Sequence, residues 1–171
     1  APINIQADFL NEGQREAIHL VLNSVDQVTA ISGKAGVGKT TVLKEIVRHL
    51  NEDNKKVYAF ATSTSASRGT LRKEGFAGAT TLAAFFNDKK MQEQVKGQII
   101  MVDEAVQVGI PSMLQLLKIA KAQKARVILT SDSKQHNSVE RGDAFRLLQS
   151  KAGMHTAHIG QIVRQKSSYY K

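Results

Sequence analysis

The chain has 171 residues, no cysteine and a formal net charge of +9 at pH 7, from 24 lysine and arginine residues against 15 aspartate and glutamate residues. A chain of this length can form one domain whose hydrophobic core is large enough to be stable without a structural metal or a disulfide. No apolar run approaches the roughly 20 residues that cross a bilayer, so we expect no membrane insertion and a cytoplasmic location. The positive charge favours a polyanionic partner, but charge alone does not separate nucleic acid from an anionic membrane.

The first predicted elements surround a glycine-rich loop. Asn11 and Gln14 have the spacing of a capping box, which predicts a helix start. Val28–Ser32 is a short β-branched and apolar run, typical of a buried parallel strand. After the loop, one apolar stripe predicts a helix; the stripe comprises Val42, Leu43, Ile46, Val47 and Leu50.

The loop itself reads GKAGVGKT, residues 33–40, and satisfies the phosphate-loop pattern G-x-x-x-x-G-K-[ST] between a predicted strand and a predicted helix. Glycines permit the tight backbone path that turns successive N–H groups toward a phosphate, and the following helix adds its positive N-terminal end. Lys39 would reach the β- and γ-phosphates, and the Thr40 hydroxyl would ligate Mg²⁺. The positions predicted to bind the nucleotide here are Gly33, Ala35, Gly36, Val37, Gly38, Lys39, Thr40 and Thr41.

Three further strand-like runs follow, at Val57–Thr62, Ile99–Val102 and Val127–Thr130. Asp103 and Glu104 directly follow the second of them. A carboxylate at a strand tip can hold Mg²⁺ through water, while its neighbour polarises the water that attacks the γ-phosphate. Such a pair alone commonly just marks a strand end, but together with the phosphate loop it predicts a nucleotide-hydrolysis site.

The rest of the chain completes an alternating pattern of helices and strands. Pro111 is a favoured first-turn residue and precedes a second apolar stripe, made of Met113, Leu114, Leu117 and Ala120. A weakly marked fifth strand is predicted over His155–Ile159. The alternation predicts an α/β fold with a parallel sheet covered by helices on both faces. His155 and His158 would face opposite sides of their strand, so we do not expect a metal site there.

Asp132 and Gln135 follow the run at Val127–Thr130. At the tip of a neighbouring strand they would lie close to the γ-phosphate. Gln135 could orient the attacking water or respond to the loss of the γ-phosphate. By itself, this stretch would read as a polar loop.

Taken in order, these motifs resemble those of a superfamily 1 helicase. The matching stretches are NEGQREAI, GKAGVGKT, VDEA, SDSKQHNSVERGDAF and QIVRQ. They are similar to the RecD-like 5′-to-3′ class and, within it, to the helicase part of conjugative relaxases. TLRKEGFAGATTLAAFF, residues 70–86, resembles the region of that family that carries single-stranded DNA contacts. The resemblance implies a P-loop NTPase (RecA-like) fold, ATP and Mg²⁺ as cofactors, and single-stranded DNA as a partner.

The resemblance also implies roles for the nucleotide-site residues. Gln14 would read the adenine edge, although its capping-box spacing leaves a structural role equally open. Asp103 would hold the metal and Glu104 would act as the catalytic base, alongside the phosphate-binding Lys39.

Four more residues take roles from the resemblance. Gln135 would couple the state of the γ-phosphate to DNA. Arg164 would be an arginine finger that stabilises transition-state charge, or else a surface arginine. Thr64 and Thr81 match positions that touch the DNA backbone, where hydroxyl groups can bond phosphate without reading sequence.

Several positions depart from the family pattern. Ser131 replaces the usual glycine before Asp132, and His136 and Asn137 follow Gln135 where the family has leucine and proline. Val106 and Ser63 (the latter just before Thr64) replace a small hydroxyl residue and a proline, respectively. These departures bear on the coupling of hydrolysis to DNA more than on hydrolysis itself.

Nothing in the chain resembles the motifs of a second motor domain, which translocation requires. We therefore expect residues 1–171 to form a single RecA-like helicase domain, the N-terminal motor lobe of a larger protein. The leading interpretation is an ATP-hydrolysing lobe of a 5′-to-3′ DNA helicase involved in conjugative transfer, weak or inactive in isolation. The alternatives are a helicase-derived module that binds ATP or single-stranded DNA without turnover, a DNA repair helicase of the same class, or another P-loop ATPase.

Overall fold

The computed structural model describes residues 10–24, 26–33, 38–132, 144, 148 and 154–159. Within them the chain alternates between helices and the strands of one sheet. The helices are α1 (Glu12–Asn23), α2 (Lys39–Glu52), α3 (Leu82–Phe86), α4 (Lys89–Gln94) and α5 (Ile110–Ala122). The strands are β1 (Val28–Ser32), β2 (Val57–Ala61), β3 (Thr80–Thr81), β4 (Ile99–Val102), β5 (Arg126–Ser131) and β6 (His155–His158).

The six strands form one sheet in the order β3-β2-β4-β5-β1-β6, and every pairing is parallel. β1 therefore lies between β5 and β6, with β4 on the other side of β5. Since the carboxyl ends of parallel strands meet at one edge, the segments that follow β1, β4 and β5 all leave the sheet at that edge. Ligands of open α/β sheets bind in this position.

Both faces of the sheet are covered, because alternate residues of each strand enter two separate apolar clusters. In β4, Ile99 and Met101 join the cluster that includes residues of α1 and α2, whereas Ile100 and Val102 join the cluster that includes residues of α3 and α5. The predicted α/β fold, a parallel sheet flanked by helices, is confirmed.

The apolar stripe predicted for α5 was wrong at one position. Leu114 is 63% exposed, and Leu116, which the prediction omitted, is fully buried beside Met113 and Ala120. Leu117 packs partly buried against the same cluster. Met113, Leu116 and Ala120 have the three- and four-residue spacing of one helix face, and Leu114 falls outside it.

Two segments between β2 and α4 position residues of the site. A π-helical turn, Ala66–Leu71, packs against β2, and β3 consists of only two residues that pair with Phe60 and Ala61. The hydroxyl oxygen of Thr81 accepts a hydrogen bond from Ala84 N at 3.1 Å and so caps α3. The structure thus places the stretch that resembles a DNA-contacting region along the β2–β3 side of the sheet.

No helix in the described part of the chain combines the length and the apolar character needed to cross a membrane.

Candidate nucleotide site

The phosphate loop begins after β1 and ends at α2, as its sequence pattern predicts. Gly33 N donates a hydrogen bond to Ser131 O at 3.2 Å, which ties the start of the loop to the end of β5. Lys39 and Thr40 lie in the first turn of α2. Ala35, Gly36 and Val37, which were predicted to bind the nucleotide, lie outside the described residues.

Gly38 precedes α2 in a left-handed conformation, with φ +83° and ψ 23°, and no side-chain cap of the helix is present among the described residues. The first N–H groups of a helix have no partner within it, so an uncapped N-terminus offers them to an anion. An added Cβ at Gly38 would also collide with the Gln14 side chain. The backbone conformation therefore favours glycine at position 38, and a larger residue there would also have to displace the Gln14 amide.

Gln14 links the start of α1 to the phosphate loop. Its Oε1 accepts from Asn11 N at 2.9 Å while its own N–H donates to Asn11 Oδ1 at 2.8 Å, so the predicted capping box is present. The side chain is buried, and its Nε2 is directed at Gly38. The structural role is confirmed, and the adenine-reading role stays a prediction.

Asp103 follows β4 and is held by both neighbouring strands. Its backbone N–H donates to Phe60 O of β2 at 2.9 Å, and its Oδ1 accepts from Thr130 Oγ1 of β5 at 2.6 Å. Thr130 is fully buried. No role for Thr130 follows from the sequence pattern, in which the available signal is a hydroxyl residue near the end of an otherwise apolar strand.

Glu104 adopts a left-handed conformation, with φ 54° and ψ 41°, which is uncommon for a residue with a side chain. Such a conformation costs on the order of 1–3 kcal/mol and persists where the surroundings enforce it. Here the following 3₁₀ turn, Ala105–Gln107, is anchored by the buried Ala105 and Val106. The Glu104 carboxylate accepts a weak hydrogen bond of 3.4 Å from Thr62 Oγ1.

A second glutamate contacts the nucleotide-site residues, and sequence reasoning missed it. Thr40 Oγ1, the predicted Mg²⁺ ligand, donates to Glu74 Oε1 at 3.1 Å. Glu74 lies just after the π-helical turn, 34 residues further along the chain. No local pattern in the sequence relates the two residues, since their contact depends on how the sheet and α2 pack.

The remaining predicted site residues fall into two groups. Thr64 is exposed after β2, and Thr81 ends β3, so both lie at the carboxyl edge of neighbouring strands. Asp132 directly follows β5 and is half-buried. Gln135 and Arg164 lie outside the described residues, and their roles stay predictions.

The chemistry of the donor set suits Mg²⁺, which prefers oxygen ligands and usually takes only one or two carboxylates together with phosphates and water. The Thr40 hydroxyl and the Asp103 carboxylate are such donors. The site can therefore combine an anion-binding helix end, a lysine, two carboxylates and a hydroxyl at one edge of the sheet.

Comparison with known proteins identifies the family. Residues 9–171 match the model of an AAA domain family. The chain belongs to this family. As an AAA domain, it joins the P-loop NTPases, in agreement with its glycine loop and parallel sheet.

The chain matches a part of several longer proteins. It is 29% identical over 165 residues to the multifunctional conjugation protein TraI of Escherichia coli strain K12, covering 91% of this chain and 9% of that protein. It is 29% identical over 163 residues to a probable conjugal transfer protein TraA of Sinorhizobium fredii, covering 94% and 14% respectively. It is 25% identical over 178 residues to the ATP-dependent DNA helicase dda of phage T4, covering 95% and 38%. The resemblance to helicases and conjugative relaxases is confirmed, and the chain spans about a tenth of the TraI protein.

Solved structures agree on the fold. The Pif1 helicase from Bacteroides superposes with a TM-score of 0.61 at 17% identity, covering 92% of this chain and 43% of that one. DnaA from Aquifex aeolicus, bound to AMPPCP, superposes with a TM-score of 0.57 at 19% identity, covering 92% and 50%. At these identities the likeness concerns the fold alone.

Proposed function

We propose that this AAA domain is the ATP-binding and ATP-hydrolysing motor lobe of a DNA helicase. The observation that carries the proposal is the end of β5, where consecutive residues connect to both nucleotide motifs. Thr130 orients the Asp103 carboxylate, and Ser131 accepts from Gly33 at the start of the phosphate loop. A phosphate loop and an acidic pair braced by one strand are the parts that phosphoryl transfer needs.

In this proposal, the Lys39 ammonium and the N–H groups at the start of α2 bind the β- and γ-phosphates. Thr40 and Asp103 hold Mg²⁺, which would neutralise phosphate charge when bound. The Glu104 carboxylate accepts the proton of the attacking water, and its left-handed backbone sets the direction of the side chain.

Two residues outside the described part of the chain complete the proposed site. Gln135 would relay the γ-phosphate state to DNA, and Arg164 would stabilise charge in the transition state. Gln14, which lies against Gly38, would add contacts to the adenine edge.

We infer that single-stranded DNA is the partner. The net charge of +9 favours a polyanion, and the relatives include a DNA helicase and conjugation proteins. Thr64 and Thr81 would bond the DNA backbone at the β2–β3 side of the sheet, where hydroxyl donors need no sequence preference. By this likeness we further propose 5′-to-3′ movement, a part in conjugative DNA transfer and a cytoplasmic location.

We also propose that residues 1–171 work as the first motor lobe of a longer chain. The TraI and TraA proteins extend far beyond the matched stretch. A second RecA-like domain would close the nucleotide cleft and complete the DNA track, since translocation requires two domains that open and close around ATP.

The test is ATP hydrolysis by the full-length parent, measured with and without single-stranded DNA. We expect strong stimulation by DNA in the parent and weak hydrolysis by residues 1–171 alone. Glu104→Gln should abolish stimulated hydrolysis while ATP binding persists. ATP binding without hydrolysis in the unmodified parent would instead favour a binding module without turnover, for which the altered motif around Asp132 gives a reason.

A further inference from the structure

We propose that Glu74 is a positioning residue for Mg²⁺, which acts by accepting a hydrogen bond from the Thr40 hydroxyl. The inference rests on the proposed nucleotide site, because it takes Thr40 as a metal ligand. Its structural basis is the 3.1 Å hydrogen bond from Thr40 Oγ1 to Glu74 Oε1. Glu74 belongs to none of the motifs that predicted the nucleotide site.

A threonine that ligates a cation keeps its proton. The oxygen donates a lone pair to the metal, and the O–H still needs an acceptor. The hydrogen bond to that acceptor orients the hydroxyl, so that the lone pair of its oxygen points at the metal. Groups that hydrogen-bond to metal ligands generally orient them in this way. Asp103 Oδ1 already accepts from Thr130, whereas the Glu74 carboxylate meets Thr40. Glu74 therefore supplies the acceptor that a ligating Thr40 requires.

Glu74 lies in a turn that is held by backbone hydrogen bonds. Leu71 O accepts from Glu74 N at 3.2 Å and from Phe76 N at 3.0 Å, and the Leu71 side chain is fully buried. Gly75 between them has φ +106°, a conformation available to glycine alone among common residues. The turn thus holds Glu74 against the first turn of α2.

The charge of Glu74 should make the site selective for the Mg²⁺ complex of a nucleotide over the free nucleotide. A carboxylate beside the phosphate loop repels a bare triphosphate and attracts the cation that the triphosphate carries. Glu74 should therefore raise the dependence of nucleotide affinity on Mg²⁺, strengthening binding of the Mg²⁺ complex relative to the free nucleotide.

The experiment measures binding of a fluorescent ATP analogue to residues 1–171 over a Mg²⁺ series and in EDTA. In Glu74→Ala, the half-saturating Mg²⁺ concentration should rise by roughly 10- to 100-fold, the usual effect of losing an outer-sphere partner. Binding in EDTA should be unchanged or tighter. Glu74→Gln keeps an acceptor oxygen without the charge, so its Mg²⁺ requirement should lie between those of the wild type and of Glu74→Ala. Glu93→Ala removes an exposed glutamate of α4 and should match the wild type.

The outcomes separate this proposal from the proposed function. A wild-type chain that binds no nucleotide at any Mg²⁺ concentration would contradict the nucleotide site itself. A wild type that binds with Mg²⁺, together with a Glu74→Ala variant of equal Mg²⁺ requirement, would overturn only the role of Glu74. A lower requirement in the variant would also overturn it, since Glu74 would then withhold the hydroxyl from the metal.

A double variant tests whether Glu74 acts through the Thr40 hydroxyl. In a Thr40→Ala background, Glu74→Ala should cause no further change in the Mg²⁺ requirement, because the hydroxyl that donates to Glu74 is already absent. If Glu74→Ala proves unfolded by its melting curve, Glu74→Gln is measured in the same background. An equal effect of the Glu74 change with and without Thr40 would contradict the proposal.

Discussion

The Thr130 hydroxyl donates a 2.6 Å hydrogen bond to the Asp103 carboxylate from a fully buried position on the adjacent strand. The next residue, Ser131, accepts from Gly33 through its backbone carbonyl. The last two residues of β5 therefore contact both the Asp103 carboxylate and the start of the phosphate loop. A change that disturbs this strand end should affect both motifs at once.

Thr130→Val should remove the hydrogen bond to the Asp103 carboxylate. It should keep the core filled, because the valine and threonine side chains have the same shape. We expect Mg²⁺-dependent ATP hydrolysis by the full-length parent to fall roughly 10- to 100-fold, as when an outer-sphere partner is lost. Unfolding stability should fall by about 1–2 kcal/mol, since a hydrogen bond to a charged group is lost. Thr130→Ser, which keeps the hydroxyl, should retain most activity.

Thr29→Val is the matched control for the loss of a buried strand hydroxyl. Thr29 Oγ1 on β1 is buried and has no hydrogen-bond partner among the described residues. Removing such a group should leave hydrolysis unchanged and stabilise the fold by about 1 kcal/mol, measured by urea unfolding. Equal losses of activity in the Thr29 and Thr130 variants would contradict a specific role for the Asp103 contact.

Gly38→Ala should destabilise the loop more than an ordinary glycine substitution does. The left-handed conformation costs a residue with a Cβ about 1–2 kcal/mol, and the Cβ would meet Gln14 as well. We expect a lower melting temperature and loss of nucleotide binding. Gly109→Ala, where the added Cβ would approach only Pro111 Cδ at 3.9 Å, should be tolerated. Similar melting curves for the two variants would show that position 38 has room for a side chain.

Stability should depend on pH through His158. Burial lowers the pKa of His158 below its ordinary value of 6.5. As pH falls below 6.5, the unfolded chain binds a proton that the folded chain does not, so stability decreases down to the folded pKa. The His158→Gln variant should lose less stability over this window. Urea unfolding at pH 7.5 and 5.5 checks this, and an unchanged pH dependence in the variant would contradict it.

Single-stranded DNA binding by the full-length parent should weaken steeply with salt and show little sequence preference, because neutralisation of phosphates dominates. Fluorescence anisotropy with oligonucleotides of two sequences, at low and high salt, measures both properties. Thr64→Val should weaken binding to both sequences alike. A salt-insensitive complex would count against the proposed DNA track.

Five of the six strands and the two chemical motifs could be predicted because they depend on local pattern. β1 and β4 have the predicted bounds, and β2, β5 and β6 differ from prediction by a residue at one or both ends. Buried parallel strands are short apolar runs, and a glycine loop followed by a helix leaves a clear signature in the sequence.

What sequence reasoning missed depends on contacts between distant segments. β3 has two residues, too few to show alternation, and forms because it pairs with the end of β2. Thr130 and Glu74 act on Asp103 and Thr40 across the fold, at separations of 27 and 34 residues. Leu114 was misplaced because its apolar character suggested burial, although the packed face of α5 runs through Leu116.

The most direct test of the nucleotide site is calorimetric titration of residues 1–171 with a slowly hydrolysed Mg-ATP analogue. The wild type should bind one equivalent saturably, and Lys39→Ala should bind at least roughly tenfold more weakly, because a charge-assisted contact to phosphate is lost. Lys44→Ala, an exposed lysine of the same helix, should match the wild type. Absence of saturable binding, or equal affinity of the Lys39→Ala variant, would contradict the account.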